Sequence, residues 1–379
     1  MTQTLRMGMV GGGQDAFIGG VHRMAARLDG EIDFVAGALS STPEKSLQSG
    51  RDLDLPEARN YPTWRAMLEG ERALPESDRI DFVSIVTPNH THFEIAKAFA
   101  EAGFHVVCDK PLAISIEQAQ ELARIASDRK IVFGVTYNYS GSPMIKQARA
   151  MVQDGELGKI RKVLVEYHQG WLAERIEATG QKQASWRSDP NLSGGGAIVD
   201  IGSHAEQLVR YVTGLEIESL SANVNTFVEG REVDDDINVF LRFEGGAKGV
   251  LIASQVCVGQ RNDLTLRLWG TKAGLEWRQE QPNELIIKSN DGPEQLYSRG
   301  EGYLSKSASD VSRIPPGHPE GFIEGFANVY RSIASAIRSG DSNPIHHDYP
   351  DVTDGLKGVQ FINAVLESGH NDGAWTRLS

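Results

Sequence analysis

LRMGMVGGGQDAFIGGVHR, residues 5–23, is the stretch on which the fold turns. An apolar run ends in three consecutive glycines, and amphipathic helical spacing follows at once, around residues 18 to 29. Gly11, Gly13 and Ala16 stand in a G-x-G-x-x-A spacing, the pattern of a dinucleotide-binding turn. Glycines let such a turn bend tightly and approach a pyrophosphate, and the helix behind it aims backbone N–H groups at the same place. A purely structural glycine turn is the alternative, and the strand before it with the helix after it weigh against that. Gly19 and Gly20 lengthen the cluster beyond the plain pattern. The cofactor contacts expected here are Gly11, Gly13, Ala16 and Phe17.

Outward from this stretch, apolar runs and helical patterns keep alternating: DFVAGAL, TWRAMLEG, DFVSIVTP, HFEIAKAFAEAG, HVVCDKP, SIEQAQELARIASDR and IVFGVTYNY. Strands that are nearly continuous in Val, Ile and Phe, separated by helices, predict an α/β domain with a doubly wound parallel sheet buried on both faces. This domain is expected over 1–139. After a helix at 142 to 153 the character changes. Longer strand-like segments such as KIRKVLVEYHQ, INVFLRFEGG, AKGVLIASQVC and LTLRLWGT are set off by Gly/Asn/Asp turns. They predict an α+β domain over 140–379 on a large mixed or antiparallel sheet, with a 204 to 213 helix and the C-terminal helices packed on it. No repeat or low-complexity stretch interrupts it. The one long loop, 298 to 321, is read as a lid, an oligomer contact or an irregular connection.

With 379 residues the chain has room for two cores, and 40% hydrophobic with 23% charged residues is an ordinary globular balance. No run of eighteen apolar residues spans a bilayer, and the N-terminus lacks a secretory pattern, so a cytoplasmic protein without membrane contact is expected. A net charge of −13 with no basic cluster argues against nucleic acid and for a small ligand. Cys108 and Cys257, far apart in apolar runs, read as buried reduced thiols.

The end of the second strand, GALSSTPEKS, lacks the acid that usually holds the ribose of NAD. Ser40, Ser41 and Lys45 would suit a ribose 2′-phosphate, which leans the expected cofactor, NAD or NADP, toward NADP; a polar turn opening a helix is the alternative. TPNHTH is read after a fourth strand and CDKPLA after a fifth, both at carboxyl ends of parallel strands, where such sheets bind ligands. Lys110 therefore reads as a group beside the nicotinamide, against the alternative of a surface lysine before a proline. Farther on, Asp200 and His204 in LSGGGAIVDIGSH are four apart and share a face where a glycine turn enters a helix.

GGGQDAFIGGVHR, TPNHTH, CDKPLA and WRSDPNLSGGGAIVDIGSH, in this order, resemble the Gfo/Idh/MocA family of NAD(P)-dependent sugar and cyclitol dehydrogenases, over nearly the whole chain. The resemblance implies a Rossmann first domain and matches Lys110, Asp200 and His204 to the family's catalytic lysine, aspartate and histidine. Where the family writes EKP this chain has Asp109-Lys110-Pro111, which keeps a carboxylate but shortens it. The resemblance further implies that Thr87, Pro88, Asn89 and His92 line the nicotinamide ribose, that Asp109 and Pro111 flank it, and that Trp186 and Arg187 reach toward the cofactor. Asn138 and Tyr139, ending a sixth strand, and His318 in the long loop are expected at the substrate, with plain packing as the alternative for each.

His204, with an unperturbed pKa of about 6.5, suits the acid/base role in alcohol oxidation. Lys110 would polarise the reacting oxygen and stabilise alkoxide, and Asp200 would orient hydroxyl or imidazole. No metal is expected, since Asp200 and His204 lack further ligands and no Cys/His cluster supplies them. The expected activity is hydride transfer between NAD(P) and a secondary alcohol of a sugar, sugar derivative or inositol, in a homo-dimer or homo-tetramer. Two rivals stand beside it: an NAD-dependent glycoside hydrolase working by transient oxidation, and a ligand-sensing regulator without chemistry.

Overall fold

The computed structural model describes residues 4–378, apart from the side chains at 182, 183, 344 and 345. The chain forms two units, Met1–Asn138 with Ile323–Leu356, and Tyr139–Phe322 with Lys357–Ser379.

In the first unit, β1 (Leu5–Gly11), α1 (Phe17–Arg27), β2 (Ile32–Ala38), α2 (Pro43–Asp52), α3 (Trp64–Ala73), β3 (Phe82–Val86), α4 (His92–Glu101), β4 (His105–Cys108), α5 (Ile116–Arg129) and β5 (Phe133–Val135) alternate as the periodicity predicts. The strands pair in parallel in the order β2-β1-β3-β4-β5. All five residues of β3 are buried, as a sheet covered on both faces requires. TPNHTH follows the third strand, CDKPLA the fourth and Asn138 the fifth. Each therefore lies one strand earlier than the periodicity predicts. Between β2 and β3 the chain makes helices, and among the described residues a single isolated bridge, from Gly37 to Asn60, ties it in strand fashion to β2.

The segment 323–356 was expected within an unbroken second domain, and the structure corrects this. Tyr330 is 1% exposed, and its hydroxyl lies 2.7 Å from His22 Nδ1 and 2.8 Å from Ser84 Oγ. Val135 N donates to Pro350 O at 2.8 Å, and Arg338 pairs with Glu31. These contacts join residues some 200 to 300 positions apart, which no local periodicity can register. Burial, aided by Arg23 and opposed by Asp109, pushes His22 down to about 4, so its imidazole is neutral inside this core.

In the second unit, α6 (Pro143–Gln153), β6 (Lys162–His168), α7 (Lys182–Arg187), α8 (Pro190–Ser193), a π-helical turn (Ile198–Gly202) and α9 (Ser203–Thr213) lead into a run of strands. These are β7 (Ile217–Asn225), β8 (Asp236–Phe243), β9 (Lys248–Ser254), β10 (Asp263–Trp269), β11 (Ala273–Arg278), β12 (Glu284–Ser289) and β13 (Gln295–Ser298), followed by α10 (Lys306–Ser309). Two helices, α11 (Phe322–Ser339) and α13 (Val352–His370), begin beside the unit boundaries; α12 (Pro344–His347) lies between them and β14 (Thr376–Arg377) ends the chain.

The nine strands form one sheet, β13-β12-β11-β10-β6-β9-β8-β7-β14. Only β6 and β9 pair in parallel; the rest are antiparallel. One face carries the core, Val163, Val165, Val239, Leu241, Leu264 and Leu266, packed with Leu208 of α9 and Phe361 of α13. The long loop is tied down rather than loose. Arg299, 3% exposed, pairs with buried Glu320 at 2.9 Å and donates to Ile314 O at 2.9 Å. Cys108 is buried in β4, whereas Cys257 lies beyond β9 and is half-buried, against the reading of two buried thiols. No helix among the described residues is long and apolar enough to cross a membrane.

Candidate functional site

At the carboxyl end of β1, Gly11 and Gly12 take left-handed φ of +84° and +74°, open to glycine at little cost. A Cβ on Gly19 would lie 2.3 Å from Gly12 Cα, so α1 meets the turn backbone against backbone. The close-packing role falls on Gly12 and Gly19 rather than on Ala16 of the G-x-G-x-x-A spacing. Ala16 is instead the extended residue before α1, donating its N–H to Gly13 O at 3.1 Å. Phe17, the first residue of α1, is 71% exposed. The turn is a bare backbone concavity capped by a helix N-terminus, and a dinucleotide pyrophosphate fits it.

Beyond β2, Ser40 Oγ accepts from Thr42 N at 3.3 Å and Ser41 is exposed. Lys45 Nζ lies 2.9 Å from Asp15 Oδ2. The cation that would meet a 2′-phosphate therefore already faces a carboxylate from the glycine turn.

His92 departs from expectation. It is fully buried, and its ring nitrogens sit 2.8 Å from Pro111 O and 2.8 Å from Thr87 O. It staples the loop after β3 to the loop after β4 instead of offering its ring to a cofactor. Burial lowers its pKa, with hydrogen bonds to Pro111 and Thr87 and the charge of Asp109 opposing and Lys110 assisting. Thr87 also accepts from Thr91 Oγ1 at 2.7 Å, and Asn89 is 5% exposed, so neither is a surface polar group.

Asp109 Oδ1 accepts from Thr136 Oγ1 at 2.7 Å and from Lys110 N at 3.0 Å. Burial pushes this carboxyl up, but His22, Lys110, the Thr136 hydrogen bond and His92 outweigh it and hold it below the usual range. Asp109 is thus ionised beside Lys110, which is half-buried just past β4. Asn138, 2% exposed, closes this loop cluster by donating its N–H to Thr136 O at 2.9 Å.

In the second unit the glycines of LSGGGAIVDIGSH admit Asp234. Its carboxylate accepts from Gly196 N and Ile198 N, each at 2.7 Å, and a Cβ on Gly196 would lie 1.8 Å from Asp234 O. Burial raises the Asp234 pKa even against those two donors. The chain then turns as a π-helix over Ile198–Gly202, with Ser203 N bonded to Ile198 O, before α9 begins. Asp200 stands in the π turn and His204 in the first turn of α9. Wider turns of this kind are rare and collect at functional sites. Sequence spacing alone suggested an ordinary helical start.

Asp200 Oδ2 accepts from Gln255 Nε2 at 2.9 Å, and Oδ1 from Arg187 Nε at 3.3 Å. Arg187, expected at the cofactor with Trp186, reaches this carboxylate, and its guanidinium also lies 4.3 Å from the Trp186 ring centroid. The Tyr139 ring stands edge-on to His204 with centroids 5.1 Å apart, and its hydroxyl bonds Tyr167 at 2.7 Å. Burial pushes Tyr139 up to about 12, and Asp200 acts in the same direction against the hydrogen bonds from Tyr167 and Asn262. His318 is exposed, and it is its carbonyl that the loop uses, bound by Arg299.

Gln169, Gln255, Asn262 and Tyr167 were not anticipated. The signal for Gln255 was the switch from apolar alternation to a polar residue just past β9 in LIASQ. Among the described residues no group of three or more His, Cys, Asp or Glu is placed to hold a metal ion.

Two family models match. "Oxidoreductase family, NAD-binding Rossmann fold" covers residues 5–137, and "GFO/IDH/MocA C-terminal domain" covers 145–276. An uncharacterized oxidoreductase, YfiI of Bacillus subtilis (strain 168), is 33% identical over 100% of this chain and 98% of its own length. A levoglucosan dehydrogenase of Pseudarthrobacter phenanthrenivorans is 29% identical over 75% of this chain and 76% of its own. The crystal structure of an inositol dehydrogenase homolog from Azotobacter vinelandii with NAD+ superposes with a TM-score of 0.95 at 37% identity, over 100% of this chain and 98% of that one. Its complex with NADH and myo-inositol gives 0.92 at 36%, with the same coverage.

Proposed function

We propose that this chain, which belongs to the GFO/IDH/MocA family of NAD-dependent oxidoreductases, oxidises a secondary alcohol of a cyclitol, sugar or sugar derivative, or reduces the matching ketone. The observation that carries the reading is the bare glycine turn of the first unit, fit for a dinucleotide; within the second unit, Asp200 held by Gln255, with His204 four residues on, supports it. Bound NAD supplies the hydride acceptor. Lys110 polarises the substrate oxygen and stabilises alkoxide character as the bond to hydrogen breaks. His204 takes the hydroxyl proton, and Asp200 accepts a hydrogen bond that orients the substrate. Asp109, held below the usual carboxylate range, places an ionised carboxylate next to Lys110 in the chain.

The reading favours NAD over NADP. Lys45 is neutralised by Asp15, and an anion arriving there would have to displace a carboxylate before gaining the lysine. A second copy of the chain is expected against the open face of the nine-stranded sheet. There the register aligns Phe240, Val250 and Leu164 in one row, and Phe240 is 60% exposed.

Thermal shift with NAD+, NADH, NADP+ and NADPH, followed by absorbance at the reduced-nicotinamide band with myo-inositol and levoglucosan, tests the proposal. Stabilisation by NAD(H) and a substrate-dependent rise in absorbance are expected. Binding without net absorbance change would displace the dehydrogenase, and a larger shift with NADP(H) would displace the cofactor choice.

A further inference from the structure

We infer that Gln255 is a positioning residue for Asp200, acting as the last link of a hydrogen-bond chain whose direction is set by Trp171. The inference rests on the role proposed for Asp200. The Trp171 indole N–H can only donate, and it donates to Gln169 Oε1 at 2.9 Å. That fixes the Gln169 amide: its Nε2 must face the other way, where it meets Asn262 Oδ1 at 2.7 Å. Asn262 Oδ1 also takes the Tyr167 hydroxyl at 2.7 Å, so the arrangement is closed from the far side as well.

Gln169 Oε1 can then accept from Gln255 Nε2, 3.2 Å away, only if Gln255 turns its NH2 inward. The same NH2 reaches Asp200 Oδ2 at 2.9 Å. Gln255 is 2% exposed, so water does not offer it another arrangement. Flipping the Gln255 amide would set its carbonyl against Gln169 Oε1 and Asp200 Oδ2 together, placing acceptor on acceptor twice. With Arg187 donating to Oδ1, both oxygens of Asp200 meet donors, and the array admits an ionised carboxylate in one rotation. Within this unit the charged or titratable groups felt by or paired with Asp200 include Arg187, Tyr139 and Tyr167. Asp200 is thereby kept as an oriented acceptor for a substrate hydroxyl.

The test is a double-mutant cycle on the full-length enzyme, with NAD+ and whichever of myo-inositol and levoglucosan is turned over. Gln255→Glu keeps the shape but replaces the donor with a carboxylate oxygen. A drop of about 10- to 100-fold in kcat/KM is expected, the size of one hydrogen bond to a charged group. NADH affinity, read by fluorescence, stays within about twofold because the glycine turn is untouched. Trp171→Phe, which removes only the distal donor, gives a smaller loss in the same direction.

In an Asp200→Asn background, Gln255→Glu costs several-fold less than in the wild type, since Asn offers an NH2 that the new carboxylate accepts and only the opposition to Gln169 Oε1 remains. Wild-type kcat/KM in Gln255→Glu, or the same fold loss in both backgrounds, would overturn the inference. Asp200→Asn with wild-type activity, or a wild-type chain that turns over neither polyol, would instead fault the underlying reading.

Discussion

Lys110 and His22 each make a prediction. Lys110→Ala removes the group proposed to hold alkoxide charge, so kcat falls by about a thousandfold or more while NADH affinity changes by less than about threefold. Turnover near wild type would remove Lys110 from the mechanism. His22 is buried and neutral, pushed down to about 4 first by desolvation. Between pH 6.5 and about 4 only the unfolded chain takes up this proton, so stability falls as pH drops through that window, by up to about 3 kcal/mol for this group. His22→Phe loses the bond to Tyr330 but also loses this acid lability. The stability gap between wild type and variant in urea melts should therefore be widest at pH 7.5 and narrow by pH 4.5; a gap that does not change with pH would refute the assignment. His92 and His105, also lowered by burial, are present in both proteins and cancel. Lys110 and His92 were readable as candidates in the sequence, but the burial of His92 and the place of His22 in the core were not. His92 became a buried staple because two backbone carbonyls converge on it from loops nineteen and five residues away.

At the scale of single elements, helix α1 shows two effects in competition. Gly19→Ala gains roughly 0.5–1 kcal/mol of intrinsic helix preference. It also forces a Cβ to within 2.3 Å of Gly12 Cα, where backbone rather than a flexible side chain must give way. Packing wins: the variant should lose thermal stability and bind NADH at least about tenfold more weakly, because the shift of α1 reshapes the turn. Calorimetric titration checks it, and unchanged affinity would show that α1 does not shape the cofactor cradle. The glycine motif and its flanking strand and helix were legible because the dinucleotide pattern is local. The π turn at Ile198–Gly202 was not. It follows a segment held by Asp234, thirty-odd residues away, whose carboxylate binds Gly196 N and Ile198 N and whose backbone carbonyl leaves no room for a Cβ on Gly196.

Across the whole molecule, the nine-stranded sheet buries one face and leaves the other open to solvent, with Phe240 and Trp269 exposed on its strands. A homo-dimer or homo-tetramer built on this face predicts that Phe240→Glu, at the exposed end of the apolar row, lowers the mass seen in sedimentation equilibrium. The fold of each protomer should persist, because the core lies on the other side of the sheet. An unchanged mass would place the interface elsewhere or leave the chain monomeric.

Strand and helix periodicity, the glycine turn, the switch from parallel to mainly antiparallel strands near residue 140 and the spacing of Asp200 and His204 were all present in the order of residues. Each depends on neighbours within one or two turns or one strand. The joining of 323–356 to the first unit, the neutral His22 against Tyr330 and Ser84, and the Trp171–Gln169–Gln255–Asp200 chain were decided by the tertiary structure. These are directional contacts between buried polar groups far apart in the chain. Their partners are selected by which backbones packing brings together, and by the cost of leaving a buried donor or acceptor unmet.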